Sequence, residues 1–494
     1  MLLLGLDLGT SSIKASVVDG STGKLIASAQ FPDTENPIST PQVGWAEQDP
    51  EMWWNCVQQA IQRCNASGKY NPKEIQAVGI AYQMHGLVLV DRNLSVLRPS
   101  IIWCDSRAVE LGNKAFEAIG KERSLSHLLN SPGNFTASKL AWVKQNEPRV
   151  YGSIYKIMLP GDFISMKMTG EITTSNSSLS EGIFWDFQTN SVSEDVMKHY
   201  GFPATILPEI RPVFSNHGGL SSSIGDLLGL KAGIPVTYKA GDQPNNALSL
   251  NVLEPGEVAA TAGTSGVIYS VSDQVSYDPK SRVNTFAHVN HQMNNENRLG
   301  TLLCINGTGI LNRWVRDNVA NGLSYQKMNE MASAITEGAN GLNILPFGNG
   351  AERVLENKTI GSTFHGINFN LHTNVHIIRA AQEGIAFSLK YGMDIMAENG
   401  TKPSVIRAGK ANMFLSEVFS QTLVNVTGVA VELYDTDGAK GAALGAGIGN
   451  QYFSNPKDAF VNMEKLEIIE PNLSKSNTYQ EIYSNWKAVL DRNL

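Results

Sequence analysis

The sequence predicts an α/β protein of two domains of like design, and three observations lead there. The chain is 494 residues long, more than one hydrophobic core usually serves. Short apolar strand-like runs alternate with helical patterns, the pattern of an α/β fold. A strand-turn-strand unit built on Gly-Thr-Ser occurs near both the start and the middle of the chain, which suggests a duplicated domain whose halves face one another.

The first strand is read at residues 2–6 and the second at 13–18, around the turn Asp7-Leu8-Gly9-Thr10-Ser11-Ser12, with a third at 25–29. A helix follows, with Asp49 as N-cap and Pro50 at its first position. Its Trp53, Val57, Ile61 and Cys64 share one face, a stripe that belongs on the sheet. Strands at 77–81 and 87–90 bracket Gln83-Met84-His85-Gly86, and a strand at 236–240 runs into Gly241-Asp242-Gln243. In the second half, strands at 257–262 and 267–270 enclose Gly263-Thr264-Ser265-Gly266. Ile377, Ala381, Ile385 and Ser388 keep helical spacing toward a stop at Asn399-Gly400. A further helix is expected over 413–424, and 441–449 supplies small residues for close packing. With no low-complexity linker between the halves, the domains are expected at 1–246 and 247–494.

Apolar residues make up 42% and charged residues 17% of the chain, an ordinary globular mixture that excludes wholesale disorder. The net charge of −7 is mild and the basic residues are scattered, so nucleic acid is not an expected partner. The opening apolar run reaches Asp7 too soon for a signal-peptide core, and no other run could span a bilayer. The expected location is therefore the cytoplasm, with no membrane partner; a homodimer is compatible with the sequence. His372 and His376 have the spacing of a zinc pair but lack an acidic or cysteine partner nearby, so a metal site is not expected there.

A glycine turn between two strands can aim several backbone N–H groups at one point, and Thr10, Ser11 and Ser12 add hydroxyl donors, making a phosphate cradle. Asp7, just before the turn, would hold Mg²⁺ directly or through water beside those phosphates. Lys14, on the next strand, would neutralise phosphate charge. Taken alone, Asp-x-Gly-Thr is equally well explained by turn preference. The second turn, with Gly263 and Thr264, shifts the balance toward one polyphosphate gripped by two loops. Asp242 is the candidate general base, which would accept the proton of an acceptor hydroxyl as a phosphoryl group arrives, an effect of about 10²–10⁴-fold. His85, by itself, reads more naturally as a hydrogen-bonded core histidine.

Together, DLGTSS at 7–12, AGDQ at 240–243 and AGTSG at 262–266 resemble the FGGY family of carbohydrate kinases, in an order and spacing that cover most of the chain. Thr136, Lys139-Leu140, Trp142-Val143 and Gln145-Asn146 resemble the family's first signature, although Asn134 stands where a different residue is expected. Met84-His85-Gly86 is similar to the substrate segment of the family's xylulokinase branch, where glycerol kinases carry an Arg-Glu pair. Trp103-Cys104-Asp105-Ser106-Arg107 is similar to the family's W-x-D-x-R segment. Leu159-Pro160-Gly161-Asp162-Phe163 resembles the branch's LPKDY stretch with Gly161 in place of lysine, whereas Gly241-Asp242-Gln243 looks more like the glycerol kinase form. Ala408-Gly409-Lys410-Ala411-Asn412 resembles the glycine-rich adenosine loop, and Gly307 and Gly309 its other wall.

The resemblance implies two ribonuclease-H-like domains of the actin-like ATPase architecture flanking a catalytic cleft. It implies a sugar held by Met84, His85, Trp103, Asp105, Asp242 and Gln243. MgATP would be held by Thr10, Ser11, Ser12, Lys14, Gly263, Thr264, Gly309, Gly409 and Asn412. The implied reaction is ATP-dependent phosphorylation of a ketopentose, D-xylulose at its 5-hydroxyl, with Asp242 as base. Two alternatives stand beside it: another acceptor of the same family, such as glycerol, a ribulose or a deoxy-ketose, or an actin-like nucleotide switch without sugar chemistry.

Overall fold

The computed structural model describes residues 1–494, which form two compact units. The first comprises Met1–Leu253, Phe286–Leu299 and Thr436–Met463, and the second Glu254–Thr285, Gly300–Asp435 and Glu464–Leu494. The single cut expected after residue 246 is therefore replaced by a later and discontinuous division. Its physical reason lies in the helix Gly438–Gly449, whose small residues pack on the sheet of the first unit.

In that unit β1 (Leu2–Leu8), β2 (Ile13–Asp19) and β3 (Lys24–Phe31) form an antiparallel meander. β4 (Ile75–Tyr82) and β5 (Val236–Gly241) extend it in parallel, giving the order β5-β4-β1-β2-β3. β1 reads as a nearly continuous apolar run because both its faces are covered. Leu4, Leu6 and Leu8 pack with Trp53, Val57 and Ile61 of the helix Pro50–Ala66, and Leu3 packs with Ala442, Ala443 and Ala446. A side chain at Gly5 would fall 1.9 Å from the Ala439 carbonyl oxygen, and one at Gly79 2.0 Å from that of Ala442. The small residues foreseen at 441–449 thus serve backbone-to-backbone contact between helix and strand. The helix Pro50–Ala66 begins as expected, with the Asp49 side chain accepting from Glu51 N–H.

The second sheet contains β6 (Glu257–Ala262), β7 (Gly266–Ser272), β8 (Asn284–Ala287), β9 (Leu299–Ile305), β10 (Val405–Gly409), β11 (Val431–Tyr434) and β12 (Lys465–Ile469). Their order is β8-β9-β7-β6-β10-β11-β12. β6 pairs antiparallel with β7 and parallel with β10, and β10 parallel with β11, so the hairpin-plus-parallel core of the first sheet recurs. Two α/β units of like design are present, as the duplicated hairpins imply.

The helix Asn374–Glu398 stops at Asn399, as its spacing predicts. His376 shares a capping box with Thr373 at its start, and His372 Nδ1 accepts from Asn368 N–H at 2.9 Å, so both imidazoles organise a helix terminus. The helix expected over 413–424 is instead a 3-10 turn, Asn412–Leu415, followed by the helix Glu417–Thr427. Ser416 makes the break, because its hydroxyl caps Phe419 N–H. No helix is long and apolar enough to cross a membrane.

Candidate active site

The turn between β1 and β2 is closed by Gly9 N–H donating to Ser12 O at 3.1 Å. Asp7 sits near the end of β1 opposite Lys14 on β2. Its carboxylate lies so close to the helix Gly438–Gly449 that a side chain at Gly438 would fall 2.2 Å from Oδ2. Burial, with the Asp437 carboxylate nearby, pushes Asp7 up to about 6. Lys14 Nζ lies 2.6 Å from Asp437 Oδ2, so the cation foreseen as a phosphate neutraliser is already paired with a carboxylate that the sequence did not single out. Asp437 is fixed in turn as the N-cap of its helix, accepting from Lys440 N–H at 2.9 Å.

Thr10 also departs from expectation. Its hydroxyl donates to Gln83 Oε1 at 3.1 Å and accepts from Trp103 Nε1 at 3.0 Å. The one proton of that hydroxyl is spent, and Ser11 and Ser12 remain as the hydroxyl donors of the turn. Trp103 is exposed and reaches the turn between β1 and β2 through this bond. Asp105, expected at the sugar, is fully buried. It accepts from Ala46 N–H at 2.6 Å and from Arg107 Nη2 at 2.7 Å, which saturates it and makes it part of the scaffold. Asn134, the departure from the expected signature, donates its amide to the Asp105 carbonyl.

β5 delivers Asp242 directly into the first position of the helix Asp242–Ser249 instead of a loop. The Asp242 carboxylate accepts hydrogen bonds from the backbone and side chain of Gln243, while burial and the Asp7 charge push it up to about 7. Next to it, a side chain at Gly241 would fall 2.7 Å from Met84 Cγ and 3.2 Å from Glu181 Oε1. Asp242, Gln243, Met84 and His85 are therefore brought together, with Glu181 among them.

Glu181, the last residue of the helix Asn176–Glu181, was not legible in its serine-rich surroundings. It is buried, and the desolvation holds its carboxyl well above the usual carboxylate range. Its Oε1 accepts from the Tyr82 hydroxyl at 2.7 Å and its Oε2 from His85 N–H at 3.0 Å. His85 adopts a left-handed φ of 63°, a conformation that a β-carbon makes unfavourable. Its ring Nδ1 lies 2.9 Å from the Glu181 carbonyl oxygen, and its own carbonyl accepts from Lys139 Nζ at 2.8 Å. A carbonyl oxygen only accepts, so Nδ1 carries the proton in that bond. Phe135 and Phe286 flank the ring at 4.8 and 5.5 Å. Lys139, fully buried beneath this segment, is pushed down to about 7 by desolvation.

Asp7 and Asp437 present carboxylate oxygens, with Lys14 as the nearby cation. This donor set suits a hard divalent cation that keeps most of its coordination for water and phosphate oxygens, as Mg²⁺ does.

In the second unit, Gly263, Thr264, Gly309 and Asn412 line one cavity of about 740 Å³, together with Tyr325 and Met413. Gly309 opens the helix Gly309–Asn318, and its N–H donates to Gly263 O at 2.9 Å, tying the second glycine turn to that helix. Gly409 ends β10 and is not among the cavity walls. Glu352, fully buried and also missed in the sequence, accepts from the N–H groups of Asn306 and Gly307 at 3.0 and 3.2 Å and so shapes the approach to this helix. Burial pushes Glu352 up to about 7.

Residues 2–249 match the profile of the N-terminal domain of the FGGY family of carbohydrate kinases, and residues 258–449 that of its C-terminal domain. The chain is 28% identical over 485 residues to the xylulose kinase of Escherichia coli strain K12, spanning 97% of this chain and 96% of that protein. It is 26% identical over 510 residues to the xylulose kinase of Bacillus subtilis strain 168, spanning 99% and 97%. The crystal structure of xylulose kinase from Rhodospirillum rubrum superposes with a TM-score of 0.89 at 25% identity, covering 100% of this chain and 99% of that one. Plasmodium falciparum glycerol kinase with ADP shares the fold at a TM-score of 0.90 and 21% identity, covering 100% and 98%.

Proposed function

Because this chain belongs to the FGGY family of carbohydrate kinases and is an ATP-dependent sugar kinase, we propose that its acceptor is D-xylulose, phosphorylated at the 5-hydroxyl. The observation that carries the acceptor reading is the cluster of Met84, His85 and Gln243 around the half-buried Asp242, with His85 clamped by Glu181. The xylulose kinases of Escherichia coli and Bacillus subtilis, matched over nearly their whole length, support it.

In this mechanism Asp242 accepts the proton of the attacking hydroxyl as its oxygen bonds to the γ-phosphorus and the bond to the ADP oxygen breaks. A carboxylate raised to about 7 is a better base at neutral pH than one at its ordinary value. Gln243 holds the base, and His85 and Met84 orient the sugar against it, which lowers the entropic part of the barrier. The glycine turn after β1, with Ser11 and Ser12, and the turn at Gly263 and Thr264 bind phosphate oxygens through N–H and O–H donors. Gly309, Asn412 and the other walls of the second unit's cavity enclose the nucleoside. Mg²⁺, held by Asp7 directly or through water, offsets the phosphate charge when bound. A cytoplasmic setting, where ATP is supplied, belongs to the same proposal.

The test is an ADP-release assay with purified protein over a panel of D-xylulose, ribulose, glycerol and a 1-deoxy-ketopentose. D-xylulose is expected to lead in kcat/KM by about tenfold or more, the discrimination that a site hydrogen-bonding a substrate hydroxyl readily supplies. A preference for glycerol, or ATP turnover indifferent to every sugar, overturns the reading.

A further inference from the structure

The segment Gln83-Met84-His85 leaves β4 beside the turn that follows β1, with Gln83 N–H donating to Leu8 O at 2.8 Å. Met84 and His85 belong to the proposed sugar site. Gln83 is buried and has no part in the mechanism above, yet its side chain reaches Thr10 of the turn.

Three residues close a ring of hydrogen bonds there. Thr10 Oγ1 donates to Gln83 Oε1 at 3.1 Å, Gln83 Nε2 to Gln48 Oε1 at 3.2 Å, and Gln48 Nε2 to Thr10 O at 2.9 Å. The direction of each bond is fixed from the edges of the ring. Trp53 Nε1 can only donate, and it meets Gln48 Oε1 at 3.0 Å; Thr10 O can only accept, and it meets Gln48 Nε2. Gln48 is thereby oriented, its oxygen requires the Gln83 nitrogen, and the Gln83 oxygen requires the Thr10 proton. With its proton spent, the Thr10 hydroxyl accepts from Trp103 Nε1. Gln48 and Gln83 are each 2% exposed, so water has little access to replace a broken bond.

The far side of the ring is tied to the same segment. Ile102, which precedes Trp103, and His85 share one donor, Lys139 Nζ, at 3.0 and 2.8 Å from their carbonyl oxygens. The turn after β1 and the segment carrying Met84 and His85 are thus joined twice, through Gln83 and through Trp103. Neither can shift alone without breaking a bond in a nearly dry network.

We propose that Gln83 is a positioning residue that couples the two substrates. The ring it closes makes the phosphate turn and the sugar segment one body. A sugar set against Met84 and His85 then presets the turn for the phosphates of ATP, and ATP presets the segment for the sugar. The ligand that binds second meets a site already in its competent arrangement, so each raises the affinity for the other by the same factor. The coupling rests on the sugar site and the phosphate turn proposed above.

The test is a calorimetric titration of the full-length protein with the magnesium complex of the β,γ-imido analogue of ATP, alone and with saturating sugar. The ratio of the two affinities is the coupling factor. The sugar is whichever leads the acceptor panel, so a panel led by another sugar than D-xylulose overturns the acceptor reading and leaves this measurement standing. The wild type is expected to show a factor of about five or more. Gln83→Met keeps the length of the side chain and removes both polar atoms, and should lower the factor to about two or less. Trp103→Phe removes only an indole N–H from an exposed ring, and should lower it by about twofold or more. No difference between the two titrations in the wild type overturns the proposal. So does an unchanged factor in Gln83→Met, since weaker binding of both ligands with the factor intact marks a residue that serves the fold alone. If Gln83→Met folds with its factor lowered, an unchanged factor in Trp103→Phe strikes the Trp103 route only. If Gln83→Met does not fold, Trp103→Phe decides, and an unchanged factor there overturns the coupling.

Discussion

Glu181 Oε2 accepts the backbone N–H of His85 at 3.0 Å, and with the Lys139 ammonium on the His85 carbonyl it holds that residue at a φ of 63°. In the proposed sugar site Glu181 acts through His85, as a positioning residue. Glu181→Gln keeps the shape but places an amide N–H either against His85 N–H, which then loses its acceptor, or against the Tyr82 hydroxyl, which must then turn its proton toward Ser178. The expected result is a sugar KM raised by about tenfold, and in Glu181→Ala a loss of about 10²-fold in kcat/KM, in line with one or two buried hydrogen bonds. The KM for ATP should hold. Steady-state kinetics with each substrate varied separately checks this, and an equal rise in both KM values would show that Glu181 serves the fold alone.

Asp242 is pushed up to about 7 by burial and by Asp7, from an ordinary value of 3.8. The base must be ionised to act, so log kcat/KM for the sugar should climb with a slope of about one below neutrality and level off above it. Asp242→Asn should lose about 10²–10⁴-fold in kcat or more while still binding ATP. The same shift has a stability consequence. Between 3.8 and about 7 the native state holds a proton that the unfolded chain has released, so stability falls as pH rises through that window and stays low above it. Asp242→Asn should therefore melt a few degrees higher than the wild type near pH 8, with the gap closing toward pH 4. A melting difference that does not depend on pH would remove the electrostatic account.

The two strand-turn-strand units and the strand that runs into Asp242 were legible because each is a short motif whose geometry depends on adjacent residues. Glu181 and Asp437 were not, because their meaning comes from partners 96 and 423 positions away, His85 and Lys14. Asp105 misled for the same reason: its carboxylate is taken up by Arg107 and by Ala46 N–H, and the latter comes from 59 residues upstream. The small residues at 441–449 announced close packing but not its destination. That was encoded in Gly5 and Gly79, whose missing side chains admit the helix to the first sheet and so divide the chain discontinuously.

Gly161, which replaces an expected lysine, has a packing explanation. A β-carbon there would fall 2.0 Å from Tyr82 Cδ1, and Tyr82 is a fully buried ring whose hydroxyl bonds Glu181. Gly161→Ala should cost about 1–3 kcal/mol by overpacking. It should also raise the sugar KM, because the displaced ring carries the Glu181 clamp with it. Thermal melting and sugar kinetics together check this; a variant with wild-type melting would show that Tyr82 has room to move.

Gly309 gives a corresponding test in the second unit. A β-carbon at this position would meet the Gly263 carbonyl oxygen at 2.2 Å and Thr264 N at 3.5 Å. Those atoms are backbone, and Gly309 N–H already donates to the same Gly263 oxygen at 2.9 Å, so the contact cannot be relieved by a rotamer change. Gly309→Ala must push the second glycine turn away from the helix it is tied to. Phosphate donors displaced by even part of an ångström lose their alignment, and the KM for ATP should rise by about tenfold or more. The KM for sugar should change little, since Asp242, Glu181 and His85 belong to the other unit. Gly152→Ala is the control: a β-carbon there meets nothing within 4 Å, and the helix Pro148–Gly152 accepts alanine readily. If Gly309→Ala leaves the KM for ATP at the control's value, the turn at Gly263 and Thr264 does not bind the nucleotide.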